Sequence, residues 1–400
     1  MARTLAMIKG PVLRWARTTA GFDIHAVAEQ LGVDEDRYSA WELGEGAPTI
    51  PQLRKLAVLF RRPLAAFYLP EPPVGFAVMR DLRRLPGVGF RTLPPAVQFE
   101  IRAAMQRRAL TIELAEDLGE DIKPFQTSAT LEDDTEGVGA RLRELLGVTD
   151  VVQQRWSDAD GRSAYVAWRT RIEALGVLVF QTTTFESEDA SGFAIWNDKL
   201  PVVAVNRRDS LTRRTFSMLH VLAHLTLRVS GVSDAETDAA RPPEDQAVEV
   251  FCNAVAASAL MPAAGVLALE LVRERPAFAT DWTDAGLAEM ARGFGVSREA
   301  FVRRLLSLGR TTDDFYRRKR AQYSAERERR RLEQREENRL RDEGIPRNMP
   351  RETIGNLGRP FIRMVLSNYH QDRLTLSEVS GYLGLKTKHI PTLEHDVGSV

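Results

Sequence analysis

The amino-acid sequence predicts a multidomain, mainly α-helical protein in which a central α+β domain lies between two helical regions. Three observations predict this architecture. The chain of 400 residues is too long for one hydrophobic core. Apolar residues recur at helical spacing near both ends of the chain. Runs rich in β-branched residues lie within residues 177–206, so strands are expected in the middle of the chain.

The N-terminal segment, residues 11–73, predicts a small bundle of helices. An apolar-periodic helix over residues 22–31 ends at Gly32, and a second helix follows it. That helix runs into the hinge W-E-x-G-x-x-x-P-T, which spans Trp41 to Thr49. Helix, glycine turn, helix and hinge resemble the XRE-type helix-turn-helix of phage repressors, a lambda-repressor-like fold. We therefore assign residues 1–73 to this domain.

Binding of DNA by this domain is a separate hypothesis. The second helix of the motif begins with Asp34-Glu35-Asp36, whereas base edges are read mainly by Arg, Lys, Asn and Gln near the start of such a helix. Arg37, Arg54 and Lys55 can reach phosphates, but those contacts carry no sequence information. Two uses stay open: DNA binding through these basic residues, and docking onto, or dimerisation with, a like-folded repressor.

The segments that follow predict a helical connector, residues 74–150, and then an α+β core, residues 151–310. In the core a helix over residues 164–175 ends at Gly176, a good C-terminal glycine. Three predicted strands come next, over residues 177–185, 192–197 and 201–206. An edge strand can bind an extended peptide as an added strand. Residues 192–196 or 201–206 are the candidates for that role; the alternative is that they are strands of the sheet interior.

The chemistry of the core is carried by two apolar helices. On the first, residues 215–227, His220 and His224 are four positions apart, so both imidazoles can point at one ion. Zinc favours such ligands; the alternative is a pair of satisfied core histidines. The second helix carries a single acidic residue, Glu249, and ends at Pro262. A carboxylate on an apolar helix costs free energy unless it is paired or binds metal, so Glu249 is the natural third ligand.

The residue after the first histidine is the unusual one. In the helix motif of zinc peptidases this position holds a glutamate that acts as general base, which contributes roughly 10²–10⁴-fold to the rate. Here it is Val221, which cannot take a proton. The metal site can therefore survive while hydrolysis fails. The acids that could replace the base lie in loops, where such residues are normally solvated: Glu186, Glu188, Asp189, Asp234, Glu236 and Asp238.

These residues together resemble the ImmA/IrrE family of metallo-endopeptidases. The family pattern F-S/T-x-x-H-E-x-x-H, followed by E-x-x-(A/C)-N-x-x-A-x-x-L-M-P, is matched at Phe216-Ser217, His220, His224, Glu249, Cys252-Asn253 and Ala256, and one residue later than the pattern at Leu260-Met261-Pro262. It departs at Val221. The resemblance covers about residues 160–310 and implies a zincin-like fold with zinc on His220, His224 and Glu249. It also implies site-specific cleavage of a repressor, often one with a helix-turn-helix, which releases stress-response, prophage or mobile-element genes. The tail over residues 62–73 is similar to the linker between the two domains in such fusions.

The remaining chain is helical. Residues 284–309 resemble a second helix-turn-helix-like unit packed behind the core. Residues 311–345 predict a charged, solvated helix held by i,i+4 pairs, with a nucleic-acid-binding stripe as the alternative, and residues 346–400 a small helical C-terminal unit. The single cysteine, Cys252, excludes an intramolecular disulfide and is interpreted as a small buried side chain.

The amino-acid composition limits the kinds of partner that we expect for this protein. The 55 Lys and Arg residues balance the 55 Asp and Glu residues, so no global charge attracts nucleic acid or membrane. With no apolar stretch of membrane-spanning length and no signal-peptide pattern, we expect a cytoplasmic protein with no membrane partner. Three functions remain: a zinc endopeptidase that regulates transcription by cleaving a partner repressor, a zinc-binding pseudoprotease scaffold that sequesters the repressor, and a DNA-binding transcription regulator that acts through residues 11–73.

Overall fold

The computed structural model describes residues 4–73, 80–81, 93–156, 160–187, 189–233, 242–340 and 348–398, with the backbone alone at residues 80–81, 334–335 and 338–340. This part of the chain is mainly helical around one five-stranded sheet. The predicted fold class, a multidomain, mainly α protein with an α+β centre, is confirmed. No helix in the described ranges is both long and apolar enough to cross a membrane.

The N-terminal bundle has the predicted order of helices. Its elements are α1 (Gly10–Thr18), α2 (Ile24–Leu31), α3 (Glu35–Leu43), α4 (Ile50–Leu59) and a 3₁₀ turn (Leu64–Tyr68). The Asp23 side chain caps α2, and Gly32 ends it at a φ of 64°, a conformation that favours glycine. The buried Glu42 of the hinge accepts a hydrogen bond from Arg17 Nε at 2.6 Å, which ties α3 to α1.

The central sheet is mixed and has the order β1-β5-β3-β4-β2. Its strands are β1 (Arg80–Asp81), β2 (Leu178–Thr182), β3 (Gly192–Ile195), β4 (Val202–Asn206) and β5 (Gly231–Ser233). β2 pairs with β4 in parallel, and β3 runs antiparallel to both β4 and β5. Every residue of β2 to β5 is buried, because helices cover both faces of the sheet.

The two strands considered for peptide binding are interior strands, so the alternative interpretation, strands of the sheet interior, is confirmed and the edge-strand role is wrong. β3 lies between β4 and β5, and β4 lies between β3 and β2. The edge of β3 is covered by β5, a strand of only three residues that follows the histidine helix. A strand of three residues is too short to show an alternation of apolar and polar residues, so it could not be predicted from the sequence.

Helices from the middle of the chain flank the sheet. They are α5 (Pro95–Leu118), α6 (Thr135–Leu145), α7 (Asp150–Gln154), α8 (Arg162–Ala174), α9 (Leu211–Thr226), α10 (Pro243–Leu260), α11 (Ala263–Ala268), α12 (Glu270–Arg273), α13 (Asp284–Phe294) and α14 (Arg298–Ser307). α6, α8, α9 and α10 form one hydrophobic cluster with one face of the sheet, around Trp168, Val203, Leu222 and Val255. α5 lies on the opposite face.

The C-terminal helices close that opposite face. They are α15 (Asp313–Leu340), α16 (Met349–Leu357), α17 (Arg359–His370), α18 (Leu376–Leu383), a 3₁₀ turn (Thr387–His389) and α19 (Ile390–Gly398). α16 to α19 pack with α5 on the sheet around Phe180 and Phe361, whose rings meet edge to face at 6.2 Å. Because its strands are apolar on both sides, the sheet needs this second layer.

The charged helix α15 departs from the solvated helix that was expected. Its first half packs on α13 and α14, with Phe315 and Tyr323 buried. The Tyr323 hydroxyl donates a hydrogen bond to Asp284 Oδ1 at 2.8 Å, and Arg298 of α14 pairs with Glu326 at 2.5 Å. Charges that were expected to pair along the helix therefore also pair across helices, which sequence spacing alone cannot show.

Candidate metal centre

Helix α9 places two imidazoles on its buried face. The Ser210 side chain caps the helix by accepting a hydrogen bond from the Arg213 backbone N–H. His220 is 3% exposed and His224 is fully buried, and their Nε2 atoms are 3.0 Å apart. The Phe216 ring lies nearly parallel to the His220 imidazole at a centroid distance of 6.3 Å.

Helix α10 brings the predicted carboxylate to the same point. α10 packs along α9, and Glu249 is 1% exposed. Its carboxylate oxygens lie 3.2 Å from His224 Nε2 and 3.5 Å from His220 Nε2. The sequence placed these three residues in one site, and the structure brings them together as the single cluster of metal-ligating side chains in the described ranges.

The cluster fits a zinc ion by its dimensions. Tetrahedral zinc with bonds of about 2.0–2.1 Å requires its ligand atoms to be about 3.3 Å apart. The separations of 3.0, 3.2 and 3.5 Å lie on either side of that value. Neither histidine Nδ1 has a hydrogen-bond partner among the described residues, although both atoms are buried. Metal-bound histidines normally hydrogen-bond through their second ring nitrogen as well, so the metal interpretation rests on the convergence of the two Nε2 atoms and the carboxylate.

The protonation states in the cluster are those that metal binding requires. Burial lowers the pKa of His224, which keeps the imidazole neutral. Burial acts to raise the pKa of Glu249, but the neighbouring His220 and His224 outweigh it and lower that pKa below its ordinary value. A neutral His224 imidazole and an ionised Glu249 carboxylate can both donate electron pairs to a cation.

Val221 has no chemical role at this centre. Its side chain is fully buried, and Cγ2 lies 3.2 Å from the position that a Cβ on Gly192 would occupy, so the side chain packs between α9 and β3. The loop acids do not replace the missing base within the described chain. Glu186 pairs with Arg208 at 3.2 Å, and Asp189 accepts a hydrogen bond from the Glu186 backbone N–H. The other candidates, Glu188, Asp234, Glu236 and Asp238, lie outside the described residues.

One member of the centre, Ser233 at the end of β5, was not predicted from the sequence. The fully buried Ser233 hydroxyl lies 3.1 Å from both His224 Nε2 and Glu249 Oε1. No motif in the sequence marks it. Cys252, by contrast, is the small buried residue that was expected, and its thiol does not join the cluster. Burial, together with the charge of Glu249, raises the pKa of that thiol.

The basic residues of the N-terminal domain lie on its surface and are separate from the metal cluster. Arg37, Arg54 and Lys55 are all exposed, and the Arg37 guanidinium lies over the Trp41 ring at 5.8 Å. The acidic start of α3 is also on the surface, where Glu35 Oε1 meets His25 Nδ1 at 2.8 Å. Both signs of charge therefore stand at the N-terminal half of the helix that would face DNA.

A histidine pair on one helix, a glutamate on the next and a small mixed sheet beneath them define a zincin-like metallopeptidase core, here joined to a helix-turn-helix domain. Comparison with protein families agrees. The Peptidase_M78 family, described as the IrrE N-terminal-like domain, matches residues 172–306, and the helix-turn-helix family HTH_3 matches residues 13–67. The chain thus combines an ImmA/IrrE-type peptidase domain with an XRE-type helix-turn-helix domain. No curated protein matches the chain.

Proposed function

We propose that this protein is a zinc-binding regulator of gene expression that acts on a partner repressor, and that it does so by binding the repressor rather than by cutting it. The observation that carries the proposal is that the metal-binding residues are present while the general base beside them is absent. His220, His224 and Glu249 converge on one point, whereas the position of the general base is the buried Val221.

Each residue has a defined part in this proposal. His220 and His224 would bind the ion through Nε2, and Glu249 would supply one negative charge. Zinc bound by them would act as a Lewis acid and would hold α9 against α10. Val221 offers only methyl groups where a proton acceptor is needed, so peptide hydrolysis would lack a contribution of roughly 10²–10⁴-fold. Recognition of a protein partner needs none of that chemistry.

The test compares the native chain with Val221→Glu and with Val221→Gln, which has the size of Glu without its basicity. Each is mixed with the helix-turn-helix repressors encoded beside its gene. Binding is measured by calorimetry and cleavage by mass spectrometry. We expect the native protein to bind a repressor and leave it intact; zinc-dependent cleavage by Val221→Glu alone would identify the missing base as the reason that the native protein does not cut. Cleavage by the native protein would show that the site works without a base at position 221, and absence of binding would remove the proposed partner.

Zinc content and thermal unfolding of the two variants serve as controls. Glu at position 221 replaces a fully buried valine, so a variant that binds no zinc has lost the site rather than failed to cut. In that event the measurements on the native protein alone test the proposal, since repressor binding without cleavage supports it.

DNA is the second candidate partner, favoured by the helix-turn-helix match over residues 13–67 and by the exposure of Arg37, Arg54 and Lys55. Neutralisation of phosphates releases counterions, so affinity should fall steeply with salt. The triple variant with Ala at these positions should bind DNA more weakly on every sequence, and its salt slope should be lower by about one for each phosphate that it no longer neutralises. An unchanged slope, or no binding by the native protein at low salt, would contradict this role.

A further inference from the structure

The side chain of Ser233 lies in a buried polar environment that the pairing of its strand does not require. The residue ends β5, and its backbone C=O accepts a hydrogen bond from the Ser191 N–H at 3.0 Å, which completes the pairing with the chain at the start of β3. The side chain therefore has no part in the sheet. It points instead to the space between α9 and α10, where it is fully buried.

The Ser233 hydroxyl completes the geometry of the metal cluster. Oγ lies 3.1 Å from His224 Nε2 and donates a hydrogen bond to Glu249 Oε1 at 3.1 Å. With Glu249 Oε1 taken as the carboxylate ligand, four of the separations among the four donor atoms fall between 3.0 and 3.2 Å, and His220 Nε2 lies 3.5 Å from the other carboxylate oxygen, Oε2. A tetrahedron of zinc ligands has edges of about 3.3 Å. These four separations are close to those that a four-coordinate ion requires between neighbouring ligand atoms.

We propose that Ser233 Oγ is the fourth ligand of this metal site and closes it. The inference rests on the proposed binding of zinc by His220, His224 and Glu249. A catalytic zinc site keeps one coordination position open for water or substrate, whereas a structural site fills all positions with protein. With Ser233 in that position and Val221 in place of the base, the centre has the properties of a structural site, which stabilises a binding surface and performs no hydrolysis.

The position of residue 233 is tested by a spectroscopic reporter in the full-length protein loaded with Co²⁺. A thiolate bound to Co²⁺ gives charge-transfer absorption in the near ultraviolet, and Cys is close in size to Ser. Ser233→Cys should gain this absorption. Ser258→Cys is the matched control, because Ser258 is a buried serine of α10 that hydrogen-bonds to the Thr135 carbonyl outside the cluster. The native protein should lack the band, since Cys252 is outside the cluster. A Ser233→Cys spectrum identical to the control would overturn the proposal.

A second variant, Ser233→Ala, keeps the proposal testable if the cysteine variant does not fold. Its zinc affinity, measured by competition with a chromophoric chelator, should fall by more than the roughly 10–100-fold that loss of an outer-shell hydrogen bond costs. Its Co²⁺ spectrum should shift on addition of acetohydroxamate, which can bind the opened position, whereas the native spectrum should not. If acetohydroxamate shifts the native spectrum equally, the site is open and Ser233 only hydrogen-bonds to Glu249.

The two proposals fail in different ways. If the native protein takes up neither zinc nor Co²⁺, the metal site itself is refuted, and Ser233 as a ligand with it. If the native protein binds zinc and Ser233→Ala binds it equally well, the three-ligand site stands and only the closing role of Ser233 is refuted.

Discussion

Replacement of Glu249 by Gln distinguishes the stability that zinc binding adds from the stability of the metal-free fold. The carboxylate is 1% exposed and contacts Ser233 Oγ at 3.1 Å, His224 Nε2 at 3.2 Å and His220 Nε2 at 3.5 Å. Gln has the same size but no charge to offer a cation. We therefore expect the metal-free variant to unfold close to the metal-free native protein, and zinc to stabilise the native protein alone.

The magnitude follows from linkage. At free zinc of about 100 times the native dissociation constant, the native fold gains about 2.7 kcal/mol. Each kcal/mol raises the unfolding midpoint by about 2–4 °C for a domain of this size, so the expected rise is about 5–11 °C. If removal of the carboxylate weakens zinc binding by about 100-fold, the variant gains only about 0.4 kcal/mol, or about 1 °C.

The assay is thermal unfolding of chelator-treated protein, followed by circular dichroism during a zinc titration. Glu244→Gln is the matched control, because Glu244 lies in the first turn of the same helix, α10, and is exposed to solvent. This control should keep the full zinc-dependent rise. An equal rise in Glu249→Gln would refute the assignment of Glu249 as a ligand.

Three further predictions concern the elements around the centre. Glu173→Leu removes the counter-ion of the buried Arg169, whose Nε lies 2.7 Å from the Glu173 carboxylate. We expect the free energy of unfolding, measured in urea, to fall by about 3–5 kcal/mol. A decrease below about 1 kcal/mol would contradict this pairing. Gly192→Ala places a Cβ 2.5 Å from the Ala204 carbonyl oxygen and 3.2 Å from Val221 Cγ2, so overpacking should cost about 1–3 kcal/mol; an unchanged unfolding midpoint would show that β3 can shift freely. Burial opposes ionisation of Asp284, but hydrogen bonds from Gln322, Tyr323 and Lys319 lower its pKa to about 2; its stabilising contribution is therefore present above the unfolded pKa of about 3.9 and is lost as the pH falls towards 2. A pH–stability profile of Asp284→Asn as steep as that of the native protein in this range would exclude the effect.

The three residues of the cluster were predictable because their signals are local. His220 and His224 are related by one helical turn, and Glu249 is the acid within an apolar helix, so spacing and the cost of a buried charge were sufficient to select them. Val221 was recognised by the same local logic. The N-terminal helices were predictable for a similar reason, since Gly32 marks the turn between α2 and α3.

Ser233 was not predictable, because its role depends on a contact between distant elements. β5 is three residues long, and only its pairing with β3 places the hydroxyl beside His224. The interior position of β3 depends on the same pairing. The packing of α15 on α14 was not predictable for an equivalent reason. The ion pairs of Glu326 with Arg298 and of Arg327 with Glu299 join two helices, and sequence spacing does not predict such pairs.

The central claim, that His220, His224 and Glu249 hold zinc although the general base is absent, is tested most directly by zinc content per chain. Native protein is purified without added metal and measured by plasma emission spectroscopy beside His224→Ala, which removes one Nε2 ligand from the fully buried end of the cluster. We predict close to one zinc per native chain and a large decrease in the variant. No zinc in either protein, or equal zinc in both, would contradict the claim.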